Sequence, residues 1–310
     1  MRRVYVACSA RNAGAWIDGF LLSLVAQSHS DWELWIRDDG STDDTAGQLE
    51  QWRAREPRVK HVLHGDHSIG AAQGFADVLR RLPADAQVIA TGDADDVWMP
   101  ERLAAGLSAL ERAEETSPGP ILIHSDLLVV DEALQDLASS FWRSEGIDPY
   151  ESSLPSLAIQ NVAVGPTLLF NAALLSEVRE IPEEAVFQDW WIALVAAATG
   201  RVVALSEPLV LYRQHGANAV GARRGSILAR LPGAMARGTK VRRDLDATSL
   251  QARALLTKYG SRLAAGDCEA LQGLASIAEL SGWRRKVAIA RWRWLPSHGV
   301  LRNIGILVRG

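Results

Sequence analysis

The amino-acid sequence predicts an α/β fold, a mainly parallel sheet with helices on both faces, on three observations. Short β-rich runs alternate with helical patterns of about 12 residues through the first half of the chain. Acidic residues cluster where several of those runs end. The 310 residues are 48% apolar, enough to bury a sizeable core. In order, strands are expected at 4–8, 32–37, 60–64, 88–91 and 121–124, with helices at 15–27, 42–55, 70–82 and 100–116. Pro100 suits the first turn of the last of these helices. Beyond residue 120 the pattern loosens into strand pieces at 121–126 and 167–170, a helix at 189–199 and a strand at 201–205. From about Gly221 the chain reads as helical and basic.

The net charge of −4 conceals an asymmetry. Residues 1–221 carry 16 Lys+Arg against 32 Asp+Glu, and residues 222–310 carry 17 against 5. An acidic body and a basic extension meet different partners. No apolar run approaches the roughly 18 residues that span a bilayer. Met1-Arg2-Arg3-Val4 runs straight into a strand, without the layout of a signal peptide. Cys8 and Cys268 form no ligand or redox motif, so a reducing cytoplasm is the default expectation.

In open sheets of this type ligands bind beyond the carboxyl ends of the strands, and there the sequence is acidic. Asp93-Ala94-Asp95-Asp96 puts three carboxylates within four residues. That suits Mg2+ or Mn2+ held together with substrate phosphates, and it equally suits a solvated turn before the next helix. A calcium loop fits poorly, with Trp98 at its sixth position and Ala104 at its twelfth. In Asp38-Asp39-Gly40-Ser41-Thr42-Asp43, Gly40 permits the turn and Ser41 or Thr42 is expected to cap the next helix, with Asp44 three residues after Ser41. Capping leaves Asp39 free to accept from a base or a ribose. Asp189, before Trp190-Trp191, either steadies a helix N-terminus, worth about 0.3–1 kcal/mol, or serves as a general base in an apolar pocket. His215 stands in a polar loop, as a metal or phosphate ligand or as an exposed residue.

Taken in order, these segments resemble the family 2 glycosyltransferases, which have the GT-A fold. The resemblance covers roughly residues 3–220 and rests on Asp38-Asp39-Gly40-Ser41-Thr42-Asp43, Asp93-Ala94-Asp95, Val97-Trp98-Met99-Pro100-Glu101-Arg102-Leu103 and His124-Ser125-Asp126. Gln188-Asp189-Trp190-Trp191 and Tyr212-Arg213-Gln214-His215-Gly216-Ala217-Asn218 look most like the bacterial rhamnosyltransferases. The resemblance implies a catalytic domain over 1–220, with a nucleotide-sugar half (about 1–126) and an acceptor half (about 127–220), followed by the extension at 221–310. It implies donor contacts from Ala10, Arg11, Asn12, Asp39, Asp93, Ala94 and Trp98, a divalent cation on Asp95 with His215, and Asp189 as catalytic base. Many relatives carry Tyr where Arg11 stands, so Arg11 is expected to meet phosphate instead of stacking on the base.

The implied reaction is inverting transfer of a sugar from dTDP-rhamnose, or from a UDP-hexose, to a growing lipopolysaccharide, O-antigen or other surface glycan, free or lipid-linked. Two other classes stay open at this stage: a haloacid-dehalogenase-type phosphatase using Asp93-x-Asp95, and a non-catalytic sugar-nucleotide binder. A dinucleotide enzyme lacks its glycine fingerprint after the first strand. The tail, residues 282–310, interleaves Trp with Arg and Lys. It is expected either to bind an anionic membrane face or to dock on the acidic body or a second copy, whereas nucleic acid would be repelled by that body.

Overall fold

The computed structural model describes residues 2–216 and 234–291. Strands β1 (Val4–Ala10), β2 (Trp32–Asp38), β3 (Val59–His64) and β4 (Val88–Gly92) are joined through helices α1 (Ile17–Val25), α2 (Thr45–Arg55) and α3 (Ala71–Arg81). Next come β5 (Val97–Trp98), α4 (Arg102–Thr116), β6 (Ile121–Val130), β7 (Asp136–Ala138), α5 (Phe141–Glu145) and α6 (Leu154–Leu157). β8 (Leu169–Asn171), α7 (Ala172–Val178), α8 (Gln188–Thr199) and β9 (Arg201–Arg213) complete the sheet region. Helices α9 (Ala234–Tyr259), α10 (Ala265–Ser276) and α11 (Gly282–Arg291) follow.

The sheet order is β3-β2-β1-β4-β8-β6-β9-β5, with β7 on β6. The first four strands are parallel, as the alternating pattern predicts. β8 then runs antiparallel to both β4 and β6, and β5 antiparallel to β9, so the second half of the sheet is mixed. Alternation along β1 explains the two-sided core. Val4, Val6 and Cys8 face α1, α2 and α4, whereas Ala7 faces α3, α7 and α8.

Two strands outrun their expected ends. β6 continues through His124-Ser125-Asp126 because Leu127 and Val129-Val130 resume the apolar pattern. β9 runs on past the end expected at Leu205, with a jump in register from Ser125↔Leu205 to Asp126↔Pro208. The jump absorbs the proline, which has no N–H to give the ladder. The cap expected before α2 is also corrected. The N-cap position is Asp44, whose side chain makes no capping bond. Asp43 instead accepts from Thr45 N (3.1 Å) and Gly14 N (2.9 Å). Ser41 and Thr42 are drawn off toward the first loop.

The described part of the extension docks on the body. Leu245, Ala252, Leu255 and Tyr259 of α9 and Leu271 and Leu274 of α10 share a core with Trp191, Ile192 and Val195 of α8. The Tyr259 hydroxyl donates to Glu177 O at 3.0 Å, and Val186 N donates to Gln251 Oε1 at 2.9 Å. In α11, Arg285 is 2% exposed and donates to Asp246 of α9 at 2.8 Å, whereas Trp283 is 71% exposed. The rest of the basic tail, 292–310, and the residues 217–233 lie outside the described residues.

Candidate active site

The parallel register brings the acidic loops together. Ala10 pairs with Asp38, and Cys8 with Gly92, so the ends of β1, β2 and β4 open on one cleft. At the first of these ends Asn12 takes a left-handed φ of 50°, which Asn tolerates better than most residues. Its N–H donates to Ser41 Oγ (2.9 Å) and its Oδ1 accepts from Thr42 N (2.8 Å). That exchange is why neither residue caps α2. Ala10 is buried, and its carbonyl accepts from Asp39 N at 2.8 Å. Arg11 is exposed.

Gly40, at φ 68°, lets residues 67–68 close over the turn, since a Cβ there would sit 2.7 Å from the His67 backbone. The closed loop wraps Asp39. Its carboxylate accepts from Ser68 Oγ (2.7 Å), Ile69 N (3.0 Å), Gly70 N (3.1 Å) and Arg37 Nε (3.1 Å). Burial alone would raise its pKa, but these donors outweigh burial and hold the group below the usual carboxylate range.

At the end of β4, ligand oxygens of Asp93, Asp95 and Asp96 lie within 4.8 Å of one another. Burial, and then the charge of Asp95, push Asp93 and Asp96 well above the usual carboxylate range. Asp96 accepts from Arg213 N at 2.9 Å, and its other oxygen is buried without a partner. Crowded carboxylate oxygens with one left orphaned are a donor set that fits a hard divalent cation. Pairing of β5 with β9 (Trp98↔Val210) carries Arg213 and His215 to this loop. Arg213 donates from Nε to Asp95 O at 2.8 Å, and His215 Nε2 lies 3.0 Å from Asp95 Oδ2 while its ring stacks on Trp16.

Two of the expected donor-contact residues have their side chains buried in the core. Trp98 is 2% exposed, edge-on to Phe20 and beneath the Arg102 guanidinium, so its ring supports the acidic loop from below. The Ala94 methyl is likewise buried. The sequence reading also missed Arg102. It is 3% exposed, donates to Thr91 O (2.8 Å), Pro166 O (2.6 Å) and Leu168 O (3.3 Å), and pins the floor of the cleft to α4. Burial brings its pKa down to about 9. A cation in the first turn of a helix, where the dipole disfavours it, was the available signal.

Asp189 closes the far wall. Its Oδ2 accepts from Gly165 N (2.8 Å) and its Oδ1 from its own helix at Trp190 N (2.7 Å), with Asn161 as a further side-chain partner. Burial outweighs these donors and pushes its pKa up to about 6. A Cβ on Gly165 would lie 3.6 Å from Asp189 Oδ2 and 3.7 Å from Asp93 Oδ2, so this glycine is the floor between the two carboxylates.

An acidic cluster at the carboxyl ends of parallel strands, faced by an isolated carboxylate on a mixed second half, defines a protein of the GT-A fold. Two solved structures share that fold over 99% of this chain. One is S. aureus TarS 1–349, at 13% identity, TM-score 0.57 and 83% of its own length. The other is the mannosyltransferase PcManGT from Pyrobaculum calidifontis with GDP-Man and Mn2+, at 17% identity, TM-score 0.56 and 79% of its length. Residues 5–147 match the family model described as glycosyl transferase family 2, which supports that family for the segment.

Among curated relatives, the uncharacterized glycosyltransferase alr2836 of Nostoc sp. (strain PCC 7120) is 28% identical over 70% of this chain and 66% of its own. The putative teichuronic acid biosynthesis glycosyltransferase TuaG of Bacillus subtilis is 31% identical over 43% and 57%. The dTDP-rhamnosyl transferase RfbG of Shigella flexneri is 23% identical over 68% and 72%. This chain spans just under two thirds of the first of these relatives and little more than half of the second.

Proposed function

We propose that this protein is an inverting, metal-dependent glycosyltransferase moving a sugar from a nucleoside-diphosphate donor to a hydroxyl of a growing surface glycan. The observation that carries the reading is Asp189, a carboxylate with a pKa near 6 that faces Asp93 across Gly165. A base so placed is ionised at neutral pH yet basic enough to take a proton.

In the proposed step Asp189 accepts the proton of an acceptor hydroxyl as that oxygen bonds to the anomeric carbon. The bond from that carbon to the diphosphate breaks on the opposite side, and the nucleoside diphosphate leaves with the electron pair. One displacement inverts the anomeric configuration and needs no nucleophilic side chain. Asp95, with His215 at 3.0 Å, would hold Mg2+ or Mn2+, and Asp93 would face the donor's ribose or sugar. A divalent cation bound there supplies positive charge against the departing diphosphate. Asp39 and the 67–70 loop form the wall for the nucleoside base, and exposed Arg11 reaches for phosphate.

Rhamnose from dTDP-rhamnose is the favoured donor, on the late motifs and the likeness to RfbG, with UDP-hexoses as the second class. Among the described residues no helix is long and apolar enough to cross a membrane. The proposed location is the cytoplasm, with peripheral contact to the inner membrane face through residues 282–310. The test of the reading is donor turnover by the purified protein across nucleotide sugars, with Mn2+ and with chelator. Turnover in Mn2+ alone, released as nucleoside diphosphate, is expected. Equal turnover in chelator, or phosphate release from simple phosphomonoesters, overturns it.

A further inference from the structure

An open pocket of about 210 Å³ adjoins Asp189 through two of its lining residues, Trp190 and Asn161. Half-buried Phe141, Ile147, Ile159 and Trp190 give it carbon surface, and Glu145, Gln160 and Asn161 give it polar edges. Three of its lining residues are fixed from behind. Asp126 in β6 accepts from Phe141 N and Trp142 N, both at 3.1 Å, which holds α5 in place. Trp190 Nε1 donates to Leu157 O, and Asn161 bonds Asp189. Glu145 and Gln160, by contrast, make no side-chain hydrogen bond with any described residue, so their polar ends are available to a ligand.

We infer that this cavity is the subsite for one neutral pyranose ring of the acceptor, presented to Asp189 through Asn161; the inference rests on the glycosyltransferase reading. A pyranose has an apolar C–H face to lay on Trp190 or Phe141 and a rim of hydroxyls for an amide and a carboxylate. Pockets enclosing whole drug-sized ligands run to about 300–1,000 Å³, so this one suits a single ring of a longer chain. Its lining holds no cation and includes Glu145. A uronate or a phosphate would meet repulsion there without compensation, so the subsite selects uncharged acceptor sugars.

Saturation-transfer NMR on the full chain tests this with methyl β-D-glucopyranoside, methyl α-L-rhamnopyranoside and methyl β-D-glucuronide, alongside titration of dTDP and UDP with Mn2+. The neutral glycosides are expected to bind and the glucuronide to bind more weakly. Gln160→Ala, which breaks no bond in the fold, should weaken the neutral glycosides by about tenfold, the equivalent of roughly 1.4 kcal/mol. Trp190→Ala should do the same, with nucleotide affinity kept in both variants. A wild-type protein that binds neither neutral glycoside, or a Gln160→Ala protein that binds them unchanged, overturns the subsite. Failure of nucleotide binding alone instead overturns the glycosyltransferase reading, and the glycoside titration still decides this one.

Discussion

Asp189 starts a helix, where a carboxylate ordinarily contributes a capping contact and little else, and its local sequence offers no way to tell that role from a base. The fold adds what the local sequence lacks: Gly165 N and the helix share the two oxygens while burial holds the pKa near 6. Asp189→Asn should leave nucleotide binding intact and slow turnover by roughly 10²–10⁴-fold, measured as single-turnover kinetics. In the wild type, kcat/KM should fall as pH drops below about 6, where the Asp189 carboxylate takes up a proton and the proposed base is lost. Stability carries the opposite sign. The folded pKa lies above the ordinary 3.8, so the fold binds the extra proton and loses stability as pH rises from about 4 to about 6. The cost reaches at most about 3 kcal/mol at neutral pH, at about 1.4 kcal/mol per unit. The melting temperature of Asp189→Asn minus that of wild type should therefore grow between pH 4 and pH 7; a constant difference would deny Asp189 its raised pKa. Asp95→Asn should abolish the Mn2+-dependent thermal stabilisation by dTDP or UDP, and an unchanged shift would move the metal elsewhere.

Helices α9 and α10 bear on a different prediction. Their apolar stripes complete the core behind α8, the helix that carries Asp189, so they support the site from behind. Leu255, wholly buried in that seam, is the sharpest probe. Leu255→Ala should lower unfolding stability by about 2–5 kcal/mol and keep a single transition in urea. A separate early transition would show that α9 and α10 melt apart from the body. The elements of the parallel half were legible because local period decides them, with strand ends falling within a residue or two of expectation. The ends of β6 and β9 were not legible, since a bulge that accommodates Pro208 depends on the partner strand and leaves no local mark.

Across the whole molecule, charge is segregated between the acidic body and the basic extension. The described part of the tail divides by residue. Arg285 is committed to Asp246, whereas Trp283 and Arg284 face outward, the pairing that favours a headgroup layer. Full-length protein should float with anionic liposomes at low salt, and a chain ending at Ser281 should float less. Equal flotation, or none by either, would assign the tail to docking alone.

By itself the sequence determined the α/β class, the parallel half of the sheet, and the acidic residues Asp39, Asp93 and Asp95 that follow its strands, because periodicity and residue type are local properties. Only the tertiary structure decided which side chains share the cleft. It buried the side chains of Trp98 and Ala94 in the core, recruited Arg102 and Gly165, drew Ser41 and Thr42 to Asn12, and set a pocket beside Asp189. Those outcomes depend on strand register and on the depth at which each group is packed, and burial and pKa follow from neighbours distant in the chain.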